Sequence, residues 1–102
     1  MDGPYESIDD IARANARAGR HWFDPGAMDF FSTRIEGPVH GGRYFVTSEQ
    51  FVASDGSTHQ RRYTVRVAGD DGEVSTVGDF QAFDTPEEAH AFAADLATAV
   101  AR

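Results

Sequence analysis

A chain of 102 residues with a formal net charge of −8 and no cysteine has room for one modest hydrophobic core and not for two. The missing cysteine excludes a disulfide framework and any thiolate metal site. The acidic balance gives a global field that repels nucleic acid and favours basic partners.

All 9 basic residues are arginine. Such a composition fits a GC-rich genome, and an acidic surface adapted to high salt is the second reading. Apolar residues at 40% and aromatics at 12% argue against wholesale disorder and for a single domain over residues 1–102. No apolar run reaches membrane-spanning length, and the Asp-rich N-terminus lacks signal-peptide character, so a soluble intracellular protein without membrane contact is expected.

Residues 1–6 are expected to be loose. Ser7 with Asp10 resembles a capping box and opens a helix whose apolar stripe is Ile8, Ile11, Ala12, Asn15 and Ala16, with Gly19 as its stop. A second face carries a basic row, Arg13, Arg17 and Arg20, running toward the negative end of the helix dipole. That row is read as a solvated face or as a partner-binding stripe. Next comes HWFDPGAMDFFSTRI. Asp24 before Pro25 is a helix start, and Phe23 and Met28 suit a hydrophobic staple. So many large apolar groups predict docking on the sheet. Trp22 and Phe30 are the alternative candidates, as aromatic anchors for a partner.

Residues 35–42, with a proline and three glycines, read as a linker. Three β-rich runs follow, GGRYFVTSEQF, HQRRYTVRV and EVSTVGDFQAF, joined by turns at Ser54–Gly56 and Gly69–Gly72. They predict an antiparallel meander. In the middle run Tyr63 and Val65 face a core, while Arg62, Thr64 and Arg66 share the other face. Tyr44, Phe45 and Val46 are consecutive, so the first strand is expected to be at least partly covered on both sides. Thr85-Pro86-Glu87-Glu88 caps a last helix with the stripe Ala89, Phe92, Ala93, Leu96, Ala97 and Val100. The expectation is an α+β, two-layer domain in the order α-α-β-β-β-α. Its core joins Tyr63, Val65, Phe92 and Leu96 to the Trp22–Phe31 segment.

The blocks HWFDPGAMDFFSTRI, GGRYFVTSEQF, RRYTVR and TVGDFQAF, in that order, resemble a family of small uncharacterised proteins encoded by actinobacterial phages. The resemblance runs from about Trp22 to the last helix and implies a phage accessory protein acting in a bacterial cytoplasm. A turn-linked sheet followed by Phe83, Thr85, Glu88, Ala89 and Phe92 is similar in shape to the arm-type DNA-binding domain of phage tyrosine integrases. Those are capping and packing positions, and they imply shared shape only.

No residues of this sequence form a catalytic, cofactor-binding or metal-binding motif. The four histidines His21, His40, His59 and His90 lie in or beside different elements. His21 with Asp24 has only a pairwise spacing, and Asp70, Asp71 and Glu73 lack the pattern of a calcium loop. The expected function is therefore non-enzymatic and cofactor-free: binding of a host or phage protein, as an acidic inhibitor or nucleic-acid mimic. A monomer or homodimer is expected. The alternative is a nucleic-acid-binding module using Arg43, Arg62, Thr64 and Arg66, against which stands pairing of these arginines with the 17 acidic residues.

Overall fold

In the computed structural model, which describes residues 4–29 and 32–100 (backbone only at Val100), the caps begin both long helices where the sequence places them. Ser7 Oγ accepts from the Asp10 amide at 3.3 Å ahead of α1 (Ile8–Arg17), and Thr85 Oγ1 accepts from the Glu88 amide at 3.3 Å ahead of α3 (Pro86–Val100). Each bond satisfies one of the amides that a helix start leaves without a partner. A short α2 spans Pro25–Asp29. The sequence expectations for Phe30 and Phe31 fall outside the described residues.

The sheet has four antiparallel strands and not three: β1 (Arg34–His40), β2 (Tyr44–Glu49), β3 (Arg62–Ala68) and β4 (Val74–Val77), in the order β1-β2-β3-β4. The segment expected to be a linker is β1. Gly37 and Pro38 masked its strand character, yet proline is tolerated on an edge strand, where its missing N–H disrupts no interior ladder. The β1–β2 pairing is irregular between Glu36 and His40, around those two residues. The last run is also shorter than its sequence suggests. β4 ends at Val77, and residues 78–82 leave the sheet through Gly78 at φ 74. The chain rejoins it by an isolated bridge between Phe83 and Tyr63.

Both faces of the sheet are covered, so the domain has three layers where two were expected. Phe45 and Val46 are neighbours on β2, both 0% exposed, and must point to opposite faces. Val46 and Val65 pack with Ala89 and Ala93 of α3, flanked by Tyr44, Tyr63, Val77, Phe83 and Leu96. On the other face Phe45 and Ala68 pack with Tyr5 and with Ile11 and Ala14 of α1, flanked by Trp22 and Phe23. The sequence showed the double coverage of β2 but not that the second cover is α1. Phe92 is a correction: it is 37% exposed and leans on Phe83 at the rim of the α3 layer.

The N-terminal segment departs from its expected looseness at Tyr5, which is 6% exposed. Its hydroxyl donates to the Gly69 carbonyl at 2.6 Å and accepts from the Gly72 amide at 3.1 Å. Asn15 of α1 donates to the Gly72 carbonyl at 2.8 Å. Gly72 has φ 75, and a Cβ there would collide with the Asn15 backbone, so only glycine fits this clasp. Tyr5→Phe removes one hydroxyl and two hydrogen bonds, while the Gly72 amide keeps its 3.1 Å bond to the Gly69 carbonyl. A loss of about 0.5–1.5 kcal/mol in urea unfolding is expected, and unchanged stability would show that water replaces the hydroxyl.

Candidate functional site

The arginines expected to form a free face are built into the protein. Thr64 is 0% exposed and Arg66 9%, because α1, Trp22 and residues 78–82 cover the face on which they lie. On the same face of β2, Thr47 stands opposite Thr64 and Glu49 opposite Arg62, and both are 0% exposed. Glu49 accepts from Thr47 Oγ1 at 2.5 Å, from Thr64 Oγ1 at 2.7 Å and from Arg66 Nη2 at 3.0 Å. Arg66 Nε donates to Thr47 Oγ1 at 3.0 Å, and its Nη1 to Thr76 Oγ1 at 2.5 Å. A carboxylate taken fully out of water is tolerated only with partners of this number and sign. Among the described residues no buried side-chain polar atom lacks a partner.

This network forms one wall of a cavity of about 420 Å³ lined, among the described residues, by Trp22, Met28, Arg66 and Phe80 together with Gly26, Ala27 and Thr33. Its two aromatic walls are fixed differently. Trp22 donates its backbone N–H to Asn15 Oδ1 at 3.3 Å, and its ring packs edge-on against Phe23 and Phe45 at 4.8 and 6.0 Å. Phe80 rides on the 78–82 excursion. Gln81 braces that excursion by donating its amide N–H to Thr64 Oγ1 at 2.8 Å and its side chain to the Glu49 carbonyl at 3.1 Å. Arg62 braces it from β3, donating to the Gln81 carbonyl at 2.7 Å and pairing with Asp84. The Arg66 guanidinium lies 5.5 Å from the Trp22 ring centre and 5.6 Å from that of Phe80, within cation–π range of both.

Outside the cavity the aromatic surface continues. Phe80 and Phe51 are 40% and 41% exposed and meet edge-to-face at 6.5 Å. Phe51 and Val52 follow Gln50 in the β2–β3 connection, a hairpin extended by a bridge between Val52 and Thr58, and Val52 is 59% exposed.

The other sequence candidates are not brought to this site. Arg43 pairs with Asp70 at 2.6 Å, donates to the Ala68 carbonyl and lies over the Tyr5 ring. Arg20 pairs with Asp71 at 2.6 Å, which raises the Arg20 pKa and, through the same hydrogen bond, holds the Asp71 carboxyl below its ordinary range. Arg13 pairs with Asp10 one turn earlier on α1, and Arg17 is also engaged. The basic row thus splits between its own helix and the Gly69–Gly72 turn. His21 and Asp24 bond to each other at 3.0 Å, and among the described residues no group of three side chains could hold a metal. None of the described helices is long and apolar enough to cross a membrane.

Sequence reasoning missed Glu49 and Phe80. Glu49 shares the parity of Phe45 and Thr47 on β2, and a charge continuing a buried face was the available signal. Phe80 carried none, since its placement follows from the chain leaving β4 at Gly78.

One histidine pair also came only from the tertiary structure. His40 Nε2 lies 2.9 Å from His90 Nδ1, joining the end of β1 to α3. Partial burial, then the neighbouring His90, lowers the His40 pKa from its ordinary 6.5. The unfolded chain therefore takes up a proton that the folded chain resists. The contribution of His40 is complete above about pH 6.5 and is lost as pH falls toward the lowered folded value. Urea midpoints measured from pH 7 to pH 5 are expected to decline, and His40→Asn to flatten part of the decline. An equal slope in both proteins would remove His40 as its source.

No curated protein and no solved structure matches the chain. A family profile does match across residues 7–94, which takes in every strand and all but the end of α3, and on that match the chain belongs to a family of unknown function, DUF7447.

Proposed function

We propose that this is a non-enzymatic accessory protein of the phage type, acting in the bacterial cytoplasm by binding a host or phage protein. The surface proposed for this is the aromatic one at Trp22, Met28, Phe80, Phe51 and Val52. The observation that carries the reading is the pairing of Phe51 and Phe80, each about two-fifths exposed, beside a cavity walled by Trp22 and Met28. Aromatic groups and methionine around a concavity are the composition of interface centres. The phage setting is supported by the sequence blocks that include Trp22 and Phe80, and the net charge of −8 suits a partner with a basic surface.

Nucleic-acid binding through Arg43, Arg62, Thr64 and Arg66 has weaker support, because each of these groups is engaged within the fold. The test is affinity capture from host lysate with and without nuclease, comparing the parent chain with a Phe51→Ser, Val52→Ser double variant and with Phe80→Ser. A specific protein retained after nuclease and lost with either variant is the expected result. Identical capture by parent and variants, or retention that depends on nucleic acid, would overturn the reading.

A further inference from the structure

We infer that the cavity between Trp22 and Phe80 takes an aromatic side chain carried on an uncharged, internal peptide segment. Its ring would lie against the two aromatic walls, and a neighbouring main-chain carbonyl would accept from the Arg66 guanidinium. This inference rests on the protein-binding reading above and specifies the occupant of the same site.

The size comes first. At about 420 Å³ the cavity sits at the small end of ligand pockets, which run from roughly 300 to 1,000 Å³. That suits one large side chain with its adjoining backbone better than an extended cofactor. Trp22, Met28 and Phe80 supply apolar and aromatic surface, against which a ring gains both burial and edge-to-face contact.

The polar requirement comes from Arg66. A guanidinium has five N–H donors, and the described residues accept three of them, through Thr47, Glu49 and Thr76. The side chain is 10% exposed, and it lines the cavity. It therefore offers hydrogen bonds there in a place that water reaches poorly. Its charge is already compensated by Glu49 at 3.0 Å, so a carboxylate entering the cavity would add an unbalanced negative charge. The charges adjoining the lining residues do not reverse this. Asp24, Asp29 and Asp79 lie beside them in the sequence, against Arg34 and an Arg61 bonded to the Ser32 carbonyl. A neutral carbonyl accepts the donors without that cost, which selects an internal peptide segment over a free C-terminus.

Trp22 is the sole tryptophan, so its emission and its indole resonance report on the cavity directly. The probe is N-acetyl-phenylalanine amide, which has no indole of its own, added to the full chain. A saturable change with a Kd on the order of millimolar is expected for a ligand of this size. N-acetyl-alanine amide should bind about five-fold more weakly or not saturate, through loss of the aromatic contact. The free acid N-acetyl-phenylalanine should also bind more weakly. Because Arg66 also holds Glu49, the variant is placed on the exposed wall: Phe80→Ala is expected to weaken the amide about five-fold while leaving the fold intact.

No saturable response to the amide, a free acid that binds as tightly, or a Phe80→Ala protein that binds like the parent would each overturn the inference. If the amide fails while protein capture is still lost on Phe51→Ser, Val52→Ser, the protein-binding reading stands and only the assigned occupant falls. If the amide binds and capture is unaffected by any variant, the cavity chemistry stands and the protein-binding reading falls.

Discussion

Glu49→Ala is expected to lower the unfolding free energy by about 3–5 kcal/mol, the range found when one partner of a buried ion pair is removed. Glu49 is 0% exposed, and its loss leaves Arg66, itself nine-tenths buried, without its anion. It also strands the Thr47 and Thr64 hydroxyls that donate to it. Replacing a buried pair with apolar residues is often neutral, but here that escape is narrow. An apolar pair would still leave the buried Thr47 and Thr64 hydroxyls, which among the described residues bond to Glu49, Arg66 and the Gln81 amide.

Glu49→Gln separates the two contributions, since it keeps the volume and an acceptor while removing the charge. A smaller loss of about 1.5–3 kcal/mol is expected, the worth of a hydrogen bond to a charged group. Urea unfolding of both variants with the m-value checked for constancy is the measurement. A Glu49→Ala loss below about 1 kcal/mol, the value of a surface pair, would mean that the carboxylate is solvated and the network is not a closed one.

The second large effect is expected at Phe45, where Phe45→Ala should cost about 3–5 kcal/mol by leaving a cavity between β2 and α1. Phe45 is 0% exposed. It stacks on Phe23 at 6.5 Å and meets Trp22 edge-on at 6.0 Å. The variant should therefore also disturb the Trp22 emission before any unfolding, linking core packing to the geometry of the proposed binding surface. Phe92→Ala is the comparison. From sequence it looked like the keystone of the last helix, but at 37% exposed its neighbours and water close over the gap, and its cost should be well under half that of Phe45→Ala. Equal losses at the two positions would contradict the burial described above.

The helix starts were legible because a cap is local chemistry. Ser7 and Thr85 each bond an amide three residues on, and no distant residue is needed to make that so. The meander of β2, β3 and β4 was legible for a related reason: alternation of side chains along a strand and turn residues between strands are short-range signals. β1 was not, because its glycines and proline carry a loop signature, and it is a strand only because β2 offers it an edge to pair with.

The candidate site divides along the same line. Trp22, Arg66 and Thr64 stood out in the sequence as aromatic, basic and polar residues in unusual company, and that alternation put Arg66 and Thr64 on one face. Whether that face met water or protein depended on what packed over it, and no local signal carries that. The covering pieces are α1, fixed through Asn15 to the distant Gly72, and the 78–82 excursion, fixed through Gln81 to Thr64 and Glu49. By itself the sequence determined the two capped helices, the three-strand meander, the doubly covered β2 and an acidic surface with every cation an arginine. Only the tertiary structure decided that Arg66 turns inward. A guanidinium among 17 acidic residues takes whichever carboxylate the fold carries out of water beside it, and here that is Glu49, one strand over.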